Sequence, residues 1–212
     1  MHFAHDPALR AEFPQLAVAT LRLDGVTAAP DVTATAAPFL ERASARLIDR
    51  SESELPEIAA WRRAYSQMGL KPTQYRCASE ALLRRFKKDG ELPSIHPLVD
   101  LCNAVSVAYA IPIAVFDLAH VTGDLTVTHA NGTENYLSFG GATETPEPGE
   151  VIFRDDAGNA HARRWVNRQS ALSAIRDDTA SVLIVCEGMH DTADVDVDAL
   201  RAELTDALAR HW

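Results

Sequence analysis

The sequence predicts an α+β fold, with N-terminal helices packed on a mixed, mostly antiparallel β-sheet or sandwich. Three observations carry this. Segments with apolar residues three and four apart come first. Short alternating or β-branched segments follow, almost all of them after Pro112. Helices and strands do not alternate as a doubly wound parallel sheet requires.

Gln15–Asp24 is expected as a strand that ends at Gly25. Thr27–Pro38, rich in Ala, Thr and Pro, is expected as a surface loop. Leu40, Ala43 and Leu47 give Phe39–Arg50 a helical spacing. A helix over Glu54–Met68 buries Ile58, Trp61, Tyr65 and Met68, and Gly69 stops it. Thr73 is the expected cap of a helix reaching Lys88, with Asp89-Gly90 after it. A further helix starts at Pro97, where a missing amide hydrogen costs nothing, and turns Leu98, Leu101, Cys102, Val105 and Tyr109 inward.

The expected strands are Ile113–Asp117, Asp124–His129, Asn135–Phe139, Glu150–Asp155, His161–Val166 and Ser181–Glu187. Asn131-Gly132, Gly140-Gly141, Pro148-Gly149 and Asp156-Ala157-Gly158-Asn159 are turn signals between them. An acidic helix over about 196–210 closes the chain, with Val197, Leu200, Leu204 and Leu208 inward. The 212 residues fit a single domain, and 47% hydrophobic with 24% charged residues is ordinary globular composition.

No apolar run approaches the roughly 18 residues that cross a bilayer, and the first residues lack a signal-peptide core. A cytoplasmic protein with no membrane partner is the expectation. Cys77, Cys102 and Cys186 are far apart and odd in number, so a disulfide framework is not expected. Buried reduced thiols are the plain reading, although Cys77 stands next to Arg76.

A net charge of −10 disfavours a bulk nucleic-acid binder, and no DNA partner is expected. The charge is segregated, however. Between Trp61 and Lys88 lie Arg62, Arg63, Lys71, Arg76, Arg84, Arg85, Lys87 and Lys88 against Glu80 alone. A local basic face can hold phosphates, and it can equally be a solvated helix face.

Dinucleotide and P-loop motifs, a nucleophile elbow and H-E-x-x-H are all absent, and the histidines do not cluster at metal spacing. His2 and His5 sit in a terminus expected to be mobile. No metal or cofactor is therefore expected. Three constellations remain. In Tyr75-Arg76-Cys77-Ala78-Ser79-Glu80, Arg76 would hold an anion with Glu80 orienting it, or the two form an ion-pair ladder continuing to Arg84. His96, Asp100, Asn103 and Ser106 make a polar stripe on an apolar helix, suited to a polar pocket or to a structural network. Arg163-Arg164-Trp165-Val166-Asn167-Arg168-Gln169-Ser170 mixes cations, an aromatic and amides, as recognition of an RNA end would need. Strand alternation would put Arg164 with Val166 on one face and Arg163 with Trp165 on the other, where Trp165 could simply be core.

From about Trp61 to Glu187 the chain carries an ordered series of motifs: Trp61-Arg62-Arg63-Ala64-Tyr65, Tyr75-Arg76 through Arg85, Leu92-Pro93-Ser94-Ile95-His96-Pro97-Leu98-Val99-Asp100 and Asn103-Ala104-Val105-Ser106. Phe116-Asp117-Leu118, Gly123-Asp124-Leu125, Gly140-Gly141, Gly149-Glu150-Val151-Ile152 and Arg163-Arg164-Trp165 through Gln169 extend it. In these motifs the chain resembles the B3/4 editing domain of the phenylalanyl-tRNA synthetase β subunit, and above all its free-standing copies.

The resemblance implies the synthetase domain's fold and an in-trans deacylase acting on the charged 3′ end of a tRNA, without a cofactor. A non-catalytic tRNA- or amino-acid-binding protein is the alternative. On the editing reading Glu80, Asn103 and Glu187 are the catalytic candidates. Arg76, Ser79, His96, Asp100, Ser106, Arg164, Trp165, Asn167, Arg168 and Gln169 would bind substrate. The chain departs from the synthetase at Ala114-Val115, where that domain carries a histidine just before the Phe-Asp pair.

Overall fold

A computed structural model describes residues 1–212. In chain order the elements begin with β1 (Phe3–His5), α1 (Pro7–Glu12), β2 (Ala17–Asp24) and α2 (Thr33–Arg46). A 3-10 turn at Glu52–Glu54 leads to α3 (Pro56–Gln67), α4 (Ala78–Asp89) and α5 (Pro97–Tyr109). Next come β3 (Ile113–Asp117), β4 (Leu125–His129), β5 (Tyr136–Leu137) and β6 (Thr143–Glu144). The chain ends with β7 (Val151–Asp155), β8 (Ala160–Arg163), β9 (Arg168–Gln169), β10 (Ser181–Gly188) and α6 (Ala193–Leu208). The fold is α+β, as the sequence predicts.

The elements gather into two compact units. One comprises Met1–Pro14 with Phe116–Ala174, the other Gln15–Val115 with Ile175–Trp212. In the helical unit the strand order is β2-β10-β3, with β10 antiparallel to β2 from Ser181↔Asp24 to Gly188↔Ala17. Its core joins Val182, Ile184 and Cys186 of β10 to Leu98, Leu101 and Val105 of α5 and Val197, Leu200 and Leu204 of α6. Three- and four-residue spacing on the helices and period two on the strand direct these side chains to one interior.

Helix ends follow local chemistry. His96 Nδ1 accepts from the Leu98 amide at 3.2 Å, with Pro97 at the first helical position of α5. Gly90, at φ 79°, closes α4 in the left-handed conformation that glycine adopts without strain. Two expectations fail here. Lys71–Tyr75 closes a turn of its own, with the Gln74 and Tyr75 amides on the Lys71 carbonyl, so α4 starts at Ala78 and Thr73 caps nothing. The expected loop Thr27–Pro38 is helical from Thr33. Asp31 Oδ1 accepts from the Thr33 amide at 2.9 Å, and the alanines that follow favour helix enough to carry Pro38 inside it.

In the other unit the sheet order is β1-β4-β7-β8-β9. Only β1 pairs parallel, with Phe3 opposite Leu125. The N-terminus is therefore ordered, contrary to expectation. Phe3 stacks at 6.1 Å on Phe153, and Phe13 meets Trp165 edge-on at 5.0 Å. The expected strand His161–Val166 stops at Arg163, because Arg164 (φ 46°) and Trp165 (φ 58°) are both left-handed. The expected alternation of Arg164 and Trp165 across a strand is thereby lost. No helix is long and apolar enough to cross a membrane.

Candidate functional site

In the helical unit, the first turn of α4 places Glu80 fully buried between two arginines. Arg62 NH1 lies 2.7 Å from Glu80 Oε1, and Arg76 Nε lies 3.5 Å from the same oxygen. Arg84 pairs with Glu52 at 2.7 Å, so three guanidiniums face two carboxylates. Burial pushes the Glu80 carboxyl above its ordinary range, Glu52 adds to the rise, and Arg62 and Arg76 oppose it. Glu80 Oε2 is buried without a hydrogen bond. Arg76 precedes the helix, so Arg76, Glu80 and Arg84 are not a ladder on one helix face. Instead, Arg76 NH2 is held by the Thr73 carbonyl at 2.7 Å.

Ser79 is buried, its Oγ 3.4 Å from Cys77 Sγ. Burial pushes Cys77 and Cys102 up to about 12 and raises Cys186 as well, so none of the three offers a thiolate nucleophile.

The polar stripe on α5 divides. His96 caps the helix, and burial holds its pKa below the usual histidine value against Asp177 and Asp100. Asp100 accepts from Ser94 Oγ at 2.7 Å and from the Ile95 amide at 2.8 Å. Ser106 Oγ donates to the Ile111 carbonyl at 2.7 Å. These three fix the ends of α5. Asn103 is half-buried. Beside Asp100 opens a cavity of about 210 Å³, walled by Val32, Ala36, Leu40, Leu92 and Pro93. Glu187, on β10, is buried opposite Val18 of β2.

The remaining sequence candidates belong to the other unit. Arg163 is 5% exposed and makes a fork with Glu150, Nε to Oε1 and NH2 to Oε2 both at 2.8 Å. Its NH1 donates to Glu144 at 2.7 Å, and Arg168 NH1 reaches the same oxygen at 3.2 Å. Both guanidiniums lie over the Tyr136 ring, at 5.6 and 5.3 Å from its centre. Two more hydrogen bonds hold the left-handed pair. The Arg164 amide donates to Glu150 Oε1 at 3.0 Å, and the Trp165 amide to the Val151 carbonyl at 2.7 Å. Trp165 is fully buried, while Arg164, Asn167 and Gln169 are half-buried and Arg168 is exposed. A left-handed non-glycine residue costs about 1–3 kcal/mol, so two in succession are held only because the surroundings over-determine them.

Sequence reasoning missed two groups. His161 Nδ1 lies 2.8 Å from Ser173 Oγ and its Nε2 lies 3.2 Å from Asp155 Oδ2. The composition is that of a hydrolase triad, yet all three are at most 2% exposed and Asp155 also caps a turn through the Ala157 and Asn159 amides. This is a core network. The second group, Glu57, His190 and Asp196, has ligand atoms within 4.8 Å of one another. No spacing rule links positions so far apart in sequence.

The fold defines a helix-rich α+β protein with arginine–carboxylate groups in each unit. The sequence profile of the B3/4 domain matches residues 60–205, and the chain belongs to that family. It is 37% identical over 76 residues to the phenylalanine–tRNA ligase β subunit of Cereibacter sphaeroides, covering 36% of this chain and 9% of that protein. The Shewanella oneidensis β subunit is 30% identical over 102 residues, 48% of this chain and 12% of the relative. The chain thus matches only about a tenth of these subunits' length. An N-terminal fragment of the phenylalanyl-tRNA synthetase β subunit from Pyrococcus horikoshii superposes on 99% of this chain and 48% of its own, with TM-score 0.51 and 12% identity. That likeness is one of fold.

Proposed function

We propose that this protein is a trans-acting aminoacyl-tRNA deacylase that binds the charged 3′ end of a mischarged tRNA and hydrolyses its ester. The observation that carries the reading is the B3/4 match over residues 60–205, a span that contains both arginine groups. In the first group three guanidiniums meet two carboxylates, a surplus of one positive charge suited to a phosphate, whereas in the second Arg163 and Arg168 balance Glu150 and Glu144. In this reading Arg76 contacts a terminal phosphate, and Arg164 is a separate phosphate contact within its own unit. Asn103 hydrogen-bonds the aminoacyl group, and Ser106 still has acceptor capacity on its hydroxyl. Glu80 or Glu187 orients the water or the α-amine. The water oxygen adds to the ester carbonyl, the bond to the ribose oxygen breaks, and the ribose hydroxyl regains a proton. Holding water and ester in register supplies much of the rate.

A second reading, binding without turnover, is favoured by Ala114-Val115 in place of the synthetase's histidine and by the inward hydrogen bonds of Asp100 and Ser106. One experiment separates them. The protein is incubated with tRNAs charged with each amino acid, correct and mischarged, and ester loss is followed. Selective loss from one pair that Asn103→Ala or Arg164→Ala slows at least tenfold is expected. No loss above the spontaneous rate from any pair, by a folded protein, overturns the deacylase. Salt-dependent affinity for the intact aminoacyl-tRNA would then establish the binding reading.

A further inference from the structure

We propose that Glu57, His190 and Asp196 form a binding site for a divalent transition metal of the zinc class. The three come from elements far apart in the chain, all within the helical unit. Glu57 lies in the first turn of α3, His190 in the link after β10, and Asp196 in the first turn of α6. One ligand atom from each lies within 4.8 Å of the other two.

The hydrogen bonding of Glu57 is incomplete. Glu57 Oε1 accepts from Arg46 NH2 at 2.6 Å, whereas Oε2 is buried with no hydrogen bond. His190, 5% exposed, places Nε2 2.8 Å from Asp196 Oδ2, the edge on which an ion shared by the two would sit. Buried polar atoms are nearly always satisfied by protein, water or an ion. Glu57 Oε2, such an atom beside two further metal-ligating side chains, points to an occupant.

The donor set selects the ion. One imidazole and two carboxylates suit zinc or cobalt, which take nitrogen and oxygen ligands at about 2.0–2.2 Å. Calcium and magnesium prefer all-oxygen shells and are disfavoured. Tetrahedral ligands at such bond lengths stand about 3.3 Å apart, so the group needs only modest closure. Asp196, with a side chain 37% exposed, leaves a path for the ion and for a water as fourth ligand. Thr192 Oγ donates to Asp196 at 2.6 Å, and Arg46 holds Glu57, so two of the ligands are oriented beforehand. Arg46 also offsets one carboxylate charge, which favours moderate affinity. Gly188 permits the close packing behind the site, since a Cβ there would stand 3.1 Å from Ala193 Cβ and 3.5 Å from His190 Cε1. A bound ion would join α3 to the start of α6.

The test uses the full chain without a purification tag and with His2→Gln, so that the N-terminus takes up no metal. After chelator treatment it is titrated with zinc in a calorimeter and with cobalt in a visible spectrometer. The expected result is one equivalent bound with a dissociation constant at or below about 10 μM, tetrahedral cobalt absorption, and a raised melting temperature. His190→Gln and Glu57→Gln should each weaken binding at least tenfold. Asp196→Asn, at a half-exposed position, serves as the third variant, with folding checked by circular dichroism. X-ray absorption of the zinc-loaded parent protein should show one imidazole in the shell, a readout independent of any variant's folding. No stoichiometric uptake at 100 μM metal, or a shell without imidazole, overturns the proposal and leaves bridging water as the occupant. Metal uptake is read without tRNA, so its failure and that of the deacylase are separate results.

Discussion

Glu150 holds together the turn that presents Arg164, and truncating it to alanine should cost about 4 kcal/mol of stability by the following reasoning. Its two oxygens accept both arms of the Arg163 fork, and Oε1 also takes the Arg164 amide. Both side chains are nearly enclosed, 6% and 8% exposed. Removing one partner of a buried ion pair costs about 3–5 kcal/mol, mostly through the charge left behind. Arg163 keeps Glu144 at 2.7 Å, which puts the loss near the lower end of that range. The Arg164 amide then lacks its acceptor, which adds about 1 kcal/mol at a residue already in the left-handed region. The assay is urea unfolding followed by far- and near-ultraviolet circular dichroism. Glu150→Gln keeps the shape and one acceptor and should cost about half as much. Glu150→Ala combined with Arg163→Met should cost clearly less than the sum of the two single changes, because no buried charge remains unpaired. A loss below about 1 kcal/mol for Glu150→Ala, or strict additivity in the double variant, would refute the reasoning.

Two further outcomes follow from other parts of the fold. Burial lowers the His161 pKa, with Asp155 opposing, so the unfolded chain takes up the proton first as pH falls. Stability is then complete above the unfolded value of about 6.5 and declines below it, by up to about 1.4 kcal/mol per pH unit for one group. His161→Gln should flatten that slope in urea midpoints measured from pH 7 to 5, and an unchanged slope would exclude His161 as its source. Gly123, at φ 68°, leaves no room for a Cβ beside the Asp156 carboxylate, which accepts from the Asp124 amide at 2.9 Å. Gly123→Ala should cost about 2–3 kcal/mol in thermal or urea unfolding. Gly25→Ala, with the same sign of φ and open space around it, should cost only about 1–2 kcal/mol. Equal losses at the two positions would show that the collision adds nothing.

Much of the fold was legible because its signals are local. The three- and four-residue apolar spacing of α3 and α5, the alternation in β2, the β-branched apolar run of β10, Pro97 at a helix start and Gly90 at a helix end act within a turn or two of chain. The start of α2 was misjudged because Pro38 and the threonines suggest a loop, while the Asp31 carboxylate on the Thr33 amide and the alanines outweigh them. Of the candidate site, the arginine-bearing motifs were visible as composition. Their pairing was not. Arg76 reaches Glu80 from outside the helix, and Glu144 reaches Arg163 across nineteen positions of chain.

The sequence by itself determined the α+β class, the order of most elements, the basic stretch before Lys88 and membership in the B3/4 family, since each depends on residue types at short range or on the order of motifs. Only the tertiary structure decided that β1 lies against β4, that the chain reverses through left-handed Arg164 and Trp165, and that Ser173, His161 and Asp155 form a buried network. It alone brought Glu57 to His190 and Asp196. Those outcomes depend on which distant groups satisfy one another's hydrogen bonds and charges once water is excluded, and no local pattern in a chain encodes that.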